Sequence, residues 1–365
     1  MYVDKYITLI TYTCCQYSVP LKRSLMAVHD IVVIGASAGG VEALAQLVKS
    51  LPPDFPAAVF VVLHVPSYGT SVLPQILSRR GPLPAFHPRD GQPIKPGQIY
   101  VAPPDSHLLI KRGFVRLVHG PRENGHRPAV DPLFRSASRA YGPRVVGVIL
   151  SGTLDDGTSG LLCVKDRGGY AVVQDPNDAL YPGMPRSAID NVKIDTVLPL
   201  SSIPQKLVQL AYSQVEEDFI MDDFEEILDA VEHKDALESG QTPPGELSRL
   251  TCPDCGGSLW EIKENDLIRF RCHTGHGYSA ESLLAEQTDS LEEALWSAYR
   301  ALQESAELAN RLAGRAQQRG HGHTEKMFKQ QALDTIERAH IIRKALLIKS
   351  ELALADPTAD SNHRD

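Results

Sequence analysis

A serine flanked by small residues, Gly35-Ala-Ser-Ala-Gly39, follows directly on the apolar run Ile31-Val-Val-Ile34. The string fits G-x-S-x-G, in which a sharp strand-to-helix turn lifts a serine oxygen to the carboxyl edge of a sheet. Small neighbours permit the turn. The helical segment VEALAQLVKSL that follows aims its N-terminal N–H groups at developing negative charge. A phosphate-cradling dinucleotide loop is the competing reading, but it needs a glycine where Ser37 stands so that a pyrophosphate can approach the backbone. A structural glycine turn is the third alternative. The turn alone does not separate them.

A serine hydroxyl becomes a nucleophile only with a base to take its proton and a carboxylate to orient that base. His64 ends the apolar run in VFVVLHVP, just before Pro66. A histidine at a strand end is often only a structural hydrogen-bonding group. VVGVILSGTLDDG places Asp155 and Asp156 just beyond another apolar strand. Either can supply the acid, and Asp-Asp-Gly also suits a turn or a helix cap. Three candidate groups at three strand ends reinforce one another, because open α/β sheets place their sites along that edge.

A second constellation lies near the C-terminus. Cys252-Pro-Asp-Cys255 and Cys272-His-Thr-Gly-His276 form C-x2-C…C-x3-H, a spacing for tetrahedral zinc. The expected ligands are Cys252, Cys255, Cys272 and His276. His273 competes for the fourth position, but its place beside Cys272 would strain its reach to the same ion. With all four positions filled by protein, the expected zinc is structural. Trp260 and Phe270 are expected to pack the small core around it.

The elements that must position these groups follow from hydrophobic period. From residue 30 to 214, continuous apolar runs alternate with helical segments, which predicts an α/β fold: a doubly wound, mostly parallel sheet in three α/β/α layers. HLLIKRGFVRLVH reads as a hairpin turning at Arg-Gly. Residues 1–29 form an expected disordered leader, with Met26 the expected working start. Residues 215–248 form an acidic helix or linker with the single base Lys234, broken by SGQTPPGE. A zinc-ribbon-like module is expected over 249–279 and an αα-hairpin over 280–355, followed by a disordered tail over 356–365. The hairpin's apolar stripe is placed at Leu284, Leu291, Leu295, Ala298, Leu302, Ala309 and Leu312, then Phe328, Ile336, Ile342 and Leu346.

Bulk properties narrow the function classes. The 365 residues exceed one ordinary core. A net charge of −8 disfavours a general nucleic-acid binder. No apolar run approaches the roughly 20 residues a membrane span requires. Three of the six cysteines cluster in one short stretch, which points to metal binding in a reducing cytoplasm rather than a disulfide framework.

GASAGG after a strand, LHVP, IYVAPPDSHLL, DPLFRSAS, LSGTLDDGTSGL and MPRSAI occur in one order. Together they resemble the catalytic domain of the chemotaxis protein-glutamate methylesterases, the CheB family, over roughly residues 30–200. The resemblance implies hydrolysis of glutamate methyl esters on chemoreceptors, and the same attack permits deamidation of receptor glutamines. Carried over by position, Ser37 matches the nucleophile and His64 its base. The aspartate before glycine in the family's LTGMGxDG pattern is the triad acid, here Asp156, which leaves Asp155 at the variable position. The backbone N–H groups of Ala38 and Gly39 are the expected oxyanion donors. No cofactor is expected for catalysis.

Departures from the pattern also shape the expectations. Too few residues precede Asp30 for the family's usual phosphorylatable receiver domain, so control by phosphorylation within this chain is not expected. Thr153-Leu154 replaces Met-Gly in LSGTLDDG, and Ala38 replaces a common threonine. The Cys/His module resembles an extension found on some of these methylesterases. The expected partner is a methylated chemoreceptor or related signalling protein, with a receptor methyltransferase a second candidate for the tail. The alternative function is a non-catalytic methylesterase-like adaptor acting through the zinc module and helices.

Overall fold

The long apolar runs IVVI, AVFVVL and VVGVI become fully buried strands. The structure is a computed structural model and describes residues 26–66, 69–216, 245–264 and 267–354. The expected leader through residue 25, the acidic stretch over 217–244 and the tail after 354 lie outside the described residues. Met26–Val28, expected within the leader, is strand β1, and His29 after it is buried.

The chain continues as β2 (Ile31–Ala36), α1 (Gly40–Lys49), β3 (Ala58–Leu63), α2 (Leu73–Arg80), β4 (Ala85–Phe86) and β5 (Ile99–Val101). The predicted hairpin is β6 (His107–Lys111) with β7 (Phe114–Val118). Then come α3 (Val130–Tyr141), β8 (Val145–Ile149), α4 (Thr158–Asp166), β9 (Tyr170–Gln174) and α5 (Gly183–Asn191). β10 (Thr196–Leu198), α6 (Ile203–Ala211) and β11 (Gln214–Glu216) complete this part. β11 pairs antiparallel with β1 and ties its two ends together.

The main sheet has seven strands in the order β10-β9-β8-β2-β3-β5-β4, every pair parallel. Alternate residues of β2 feed opposite faces, as strand geometry requires. Val32 and Ile34 pack with α1, α2 and α6, whereas Ile31 and Val33 pack with α3, α4, α5 and the hairpin. These are the three predicted layers. Strand order reverses between β2 and β8, so the crevice at their carboxyl ends is the topological switch point where such sheets bind ligands.

A second, four-stranded antiparallel sheet follows: β12 (Glu246–Thr251), β13 (Ser258–Glu264), β14 (Leu267–Cys272) and β15 (Gly277–Ser279). Its core holds Leu259, Phe270 and Tyr278 with Leu283. Phe270 packs as expected. Trp260 does not, because strand alternation turns Leu259 inward and its neighbour outward. α7 (Ala280–Gln318) and α8 (Gly322–Leu354) then pack as the expected helix pair. The expected seam differs in detail. Leu284, Leu291 and Ile336 are exposed; Ala309 is buried as expected, but its buried companions are Ala306, Ala313 and Ala316 of α7 and Ala332 and Ala339 of α8. Small side chains occupy the buried stripe, which lets the two backbones approach closely. No helix among the described residues is long and apolar enough to cross a membrane.

The small sheet is fastened to the large one by a buried charge. Glu123, between β7 and α3, is fully buried. It accepts from Arg135 Nη2 at 2.8 and 2.7 Å, from Arg271 at 3.1 Å and from Arg269 at 3.3 Å. Burial opposes its ionisation, but the three guanidinium groups outweigh burial and hold the carboxyl well below the usual range. Arg135 comes from α3 and the other two from β14, so the carboxylate joins the two parts. Glu123→Leu removes the carboxylate shared by three guanidinium groups, two of them buried, and is expected to lower stability by about 3–5 kcal/mol, read from the urea midpoint. Because the folded pKa is depressed, the contribution is complete above the ordinary glutamate range and is lost as pH falls through the lower folded value. The deficit of the variant should therefore shrink in strong acid; a midpoint equal to wild type at neutral pH would remove this role.

Candidate active site and cysteine cluster

The serine turn is held open by local packing. Gly39 has φ 71°, in the left-handed region that favours glycine, and a Cβ there would meet Ser151 Oγ at 2.8 Å. The next residue starts α1. Ser151 pins the turn to the loop after β8: its hydroxyl donates to Ala38 O at 2.8 Å and accepts from Tyr181 N–H at 3.0 Å. The Ser37 N–H donates to Ser151 O. Among the described residues, the N–H groups of Ala38 and Gly39 have no hydrogen-bond partner.

Ser37, His64 and Asp156 converge from the carboxyl ends of three adjacent strands, β2, β3 and β8. Ser37 Oγ lies 3.1 Å from His64 Nδ1, and His64 Nε2 lies 2.7 Å from Asp156 Oδ2. An ionised Asp156 can only accept, so Nε2 carries the hydrogen and Nδ1 presents its lone pair to the serine hydroxyl. Asp156 also accepts from Val130 N–H at 2.7 Å, Asp131 N–H at 3.3 Å and Asn124 Nδ2 at 2.8 Å. Burial opposes the charge, but the hydrogen bond and field of His64, with the Val130 N–H at the start of α3, hold this carboxyl below its ordinary range.

Three further groups complete the site without a sequence signal of their own. Asp131 is buried beside Asp156, and its Oδ1 accepts from the N–H groups of Gly157 and Gly160 at the start of α4. Burial first, and then the Asp156 charge, push its carboxyl upward. Asn124 bridges the two acids, 3.1 Å from Asp131 and 2.8 Å from Asp156. His126 stacks on His64 with centroids 3.7 Å apart. Burial and the neighbouring His64 lower its pKa to about 4, so at neutral pH it is a flat, uncharged platform. Asp131 stood within DPLFRSAS, but nothing in that string marked it as a partner of an acid 25 residues away.

Asp155, the other candidate acid, turns away from His64. It accepts from Ser279 Oγ at 2.7 Å and Ser282 Oγ at 2.8 Å. Burial raises its pKa against these two hydrogen bonds. Leu154 before it takes φ 57° and is partly exposed. That left-handed conformation is strained for leucine and free for glycine, the residue the family pattern carries at this place.

Cys252, Cys255, Cys272 and His276 come together at one end of the small sheet, with ligand atoms all within 4.8 Å of one another. His276 Nδ1 is 3.6 Å from both Cys252 Sγ and Cys272 Sγ, and Cys255 Sγ is 3.7 Å from Cys272 Sγ. His273 is not in the group; it lies beside Gly257.

Comparison with known proteins places the chain. The family described as CheB methylesterase matches residues 32–207. Protein-glutamate methylesterase/protein-glutamine glutaminase 2 of Anaeromyxobacter dehalogenans is 41% identical over 181 residues, which cover 50% of this chain and 53% of that protein. The match thus spans about half the length of that relative. The crystal structure of the Thermotoga maritima CheB methylesterase catalytic domain is 38% identical, covers 50% of this chain and 98% of that one, and superposes with a TM-score of 0.48. A relative from Leptospira interrogans serovar Lai, named for the same two activities, is 37% identical over 190 residues, which are 52% of this chain and 98% of that protein. With that relative matched over nearly its whole length, the chain belongs to the CheB methylesterase family.

Proposed function

We propose that the chain is a serine hydrolase that demethylates glutamate methyl esters on chemoreceptors or related signalling proteins, and deamidates glutamines by the same attack. The observation that carries this reading is the hydrogen-bonded series Ser37–His64–Asp156 at the switch point of the sheet. Ser37 Oγ attacks the ester carbonyl as His64 Nδ1 takes its proton. Asp156 orients the ring and stabilises its charged form. The free N–H groups of Ala38 and Gly39 face the developing oxyanion. Collapse of the tetrahedral intermediate expels methanol with the proton from His64, leaving the glutamyl ester of Ser37. Water then attacks, again through His64, and releases glutamate. With a glutamine substrate, ammonia leaves instead. An adaptor without catalysis is the weaker reading, since a body kept for docking alone has no need of a serine 3.1 Å from its base.

The cysteine cluster suits structural zinc. Zinc bonds of about 2.3 Å to sulfur and about 2.0–2.1 Å to nitrogen span tetrahedral edges of about 3.8 Å between sulfurs and about 3.5 Å between sulfur and nitrogen. The observed 3.7 and 3.6 Å separations match those edges. The ion would cross-link the two turns that carry Cys252–Cys255 and Cys272–His276, and it takes no part in ester hydrolysis. Thiolate ligands of this kind suit a reducing compartment, in line with a cytoplasmic enzyme.

Two sets of measurements test these assignments. Ser37→Ala should abolish methanol release from a methylated receptor, and Asp156→Asn should lower kcat by about 10³- to 10⁴-fold; near-wild-type turnover in either variant would reject the triad. Purified protein should hold one zinc per chain by elemental analysis, and chelation should loosen proteolytic protection over 245–279. A metal-free protein with that region equally protected would reject the zinc.

A further inference from the structure

The loop over 122–127 belongs to the large domain but is paired with the small sheet. Gly277 N–H donates to Arg122 O at 3.1 Å, and Asn124 N–H donates to Gly277 O at 2.8 Å. Glu123, between them, is gripped by Arg269 and Arg271 of β14. Asn124 takes φ 51°, which asparagine tolerates better than most residues, and its side chain points inward to the acids.

An amide side chain has two faces of nearly equal shape, one accepting and one donating. At Asn124 the choice is forced from the module side. Ser279 N–H donates to Asn124 Oδ1 at 2.8 Å. The oxygen therefore faces the small sheet, and both hydrogens of Nδ2 face the carboxylates, 2.8 Å from Asp156 Oδ1 and 3.1 Å from Asp131 Oδ2. A flipped amide would set its oxygen against two carboxylates. Ser279 is itself fixed: it caps α7 by accepting from Ser282 N–H and donates to Asp155. The same loop carries His126 onto the face of His64.

We propose that Asn124 is a positioning residue for the Asp156–His64 pair, and that the C-terminal module sets its orientation through the Ser279 N–H, so that the extension completes the active site. The proposal rests on the serine-hydrolase reading. The two donor bonds of Asn124 keep adjacent buried acids from sharing a proton across the pair. Asp156 then keeps the full charge that orients His64.

The test measures kcat and KM for methanol release from a peptide carrying a glutamate γ-methyl ester, with the full-length chain. It also follows the downfield proton resonance of His64 Nε2–H. Asn124→Ala should lower kcat by about 10- to 100-fold with KM little changed, the loss expected for a hydrogen bond to a charged group, and should shift or broaden that resonance. Ser279→Pro removes the module's N–H donor at φ −71°, an angle proline adopts, and with it the hydroxyl that caps α7 and bonds Asp155; Ser279→Ala removes the hydroxyl alone. The proline variant should reproduce both changes in milder form, and the alanine variant should not. Ser282→Ala, which removes one Asp155 contact and leaves that donor, should keep wild-type kcat. A folded Asn124→Ala chain with wild-type kcat and an unmoved resonance, while Ser37→Ala is inactive, would overturn the positioning role alone. Retained turnover in Ser37→Ala would instead overturn the underlying triad. Should Asn124→Ala fail to fold, Ser279→Pro decides: wild-type kcat and resonance there overturn the role of the module.

Discussion

Two carboxylates, Asp131 and Asp156, are buried side by side, and their surroundings are arranged to satisfy that pair. Unpaired charges in an interior cost several kcal/mol each. Here the start of α4 donates to one, the start of α3 and His64 donate to the other, and Asn124 donates to both. The result is asymmetric: the carboxyl facing His64 is held in its charged form while its neighbour is pushed towards the neutral one. The carboxylate that faces His64 thus has a neighbour that absorbs the repulsion. Divergent environments for two nearby titratable groups commonly mark acid–base machinery.

The C-terminal part of the chain is docked on those same loops rather than on a remote face. Glu123, Asn124 and Asp155 each accept from it, through guanidinium, backbone and hydroxyl donors respectively. Glu123 and Asn124 lie in the loop leading into α3, whose second residue is Asp131, and Asp155 lies beside Asp156 after β8. A contact surface made of buried, directional hydrogen bonds to charged groups has a narrow range of tolerated geometries. Attachment and site geometry are therefore hard to vary independently.

The parallel sheet and its three strand-end groups were legible because continuous apolar runs punctuated by glycine are the strongest local signals a chain offers. Ser37, His64 and Asp156 each stand at such a punctuation. Asn124 and His126 lie in a stretch with neither period, and their partners are 32 and 62 residues away in sequence. Arg269 and Arg271 alternate with Phe270, so a shared face on β14 was visible in principle. The carboxylate they share, Glu123, lies 146 residues from Arg269 and left no trace in any local pattern. Trp260 was misplaced by one residue against Leu259, because side-chain size outranked the alternation that packing obeys. Leu284 was misplaced against Leu283, an identical side chain one helical step away that only the docking of α7 on the small sheet distinguishes.

Asp155 and Asp156 are consecutive, yet one holds the cap of α7 and the other faces His64. α7 runs for 39 residues, about 58 Å at the usual helical rise, and α8 returns along it. The pair forms a long arm whose root is hydrogen-bonded to Asp155, the residue next to that acid. By simple leverage, a tilt of about one degree at that root moves the far end by roughly 1 Å. Conversely, large excursions at the distant end arrive at Asp155 as fractions of an ångström. That is the scale on which contacts of 2.7 and 3.1 Å around His64 are made or lost.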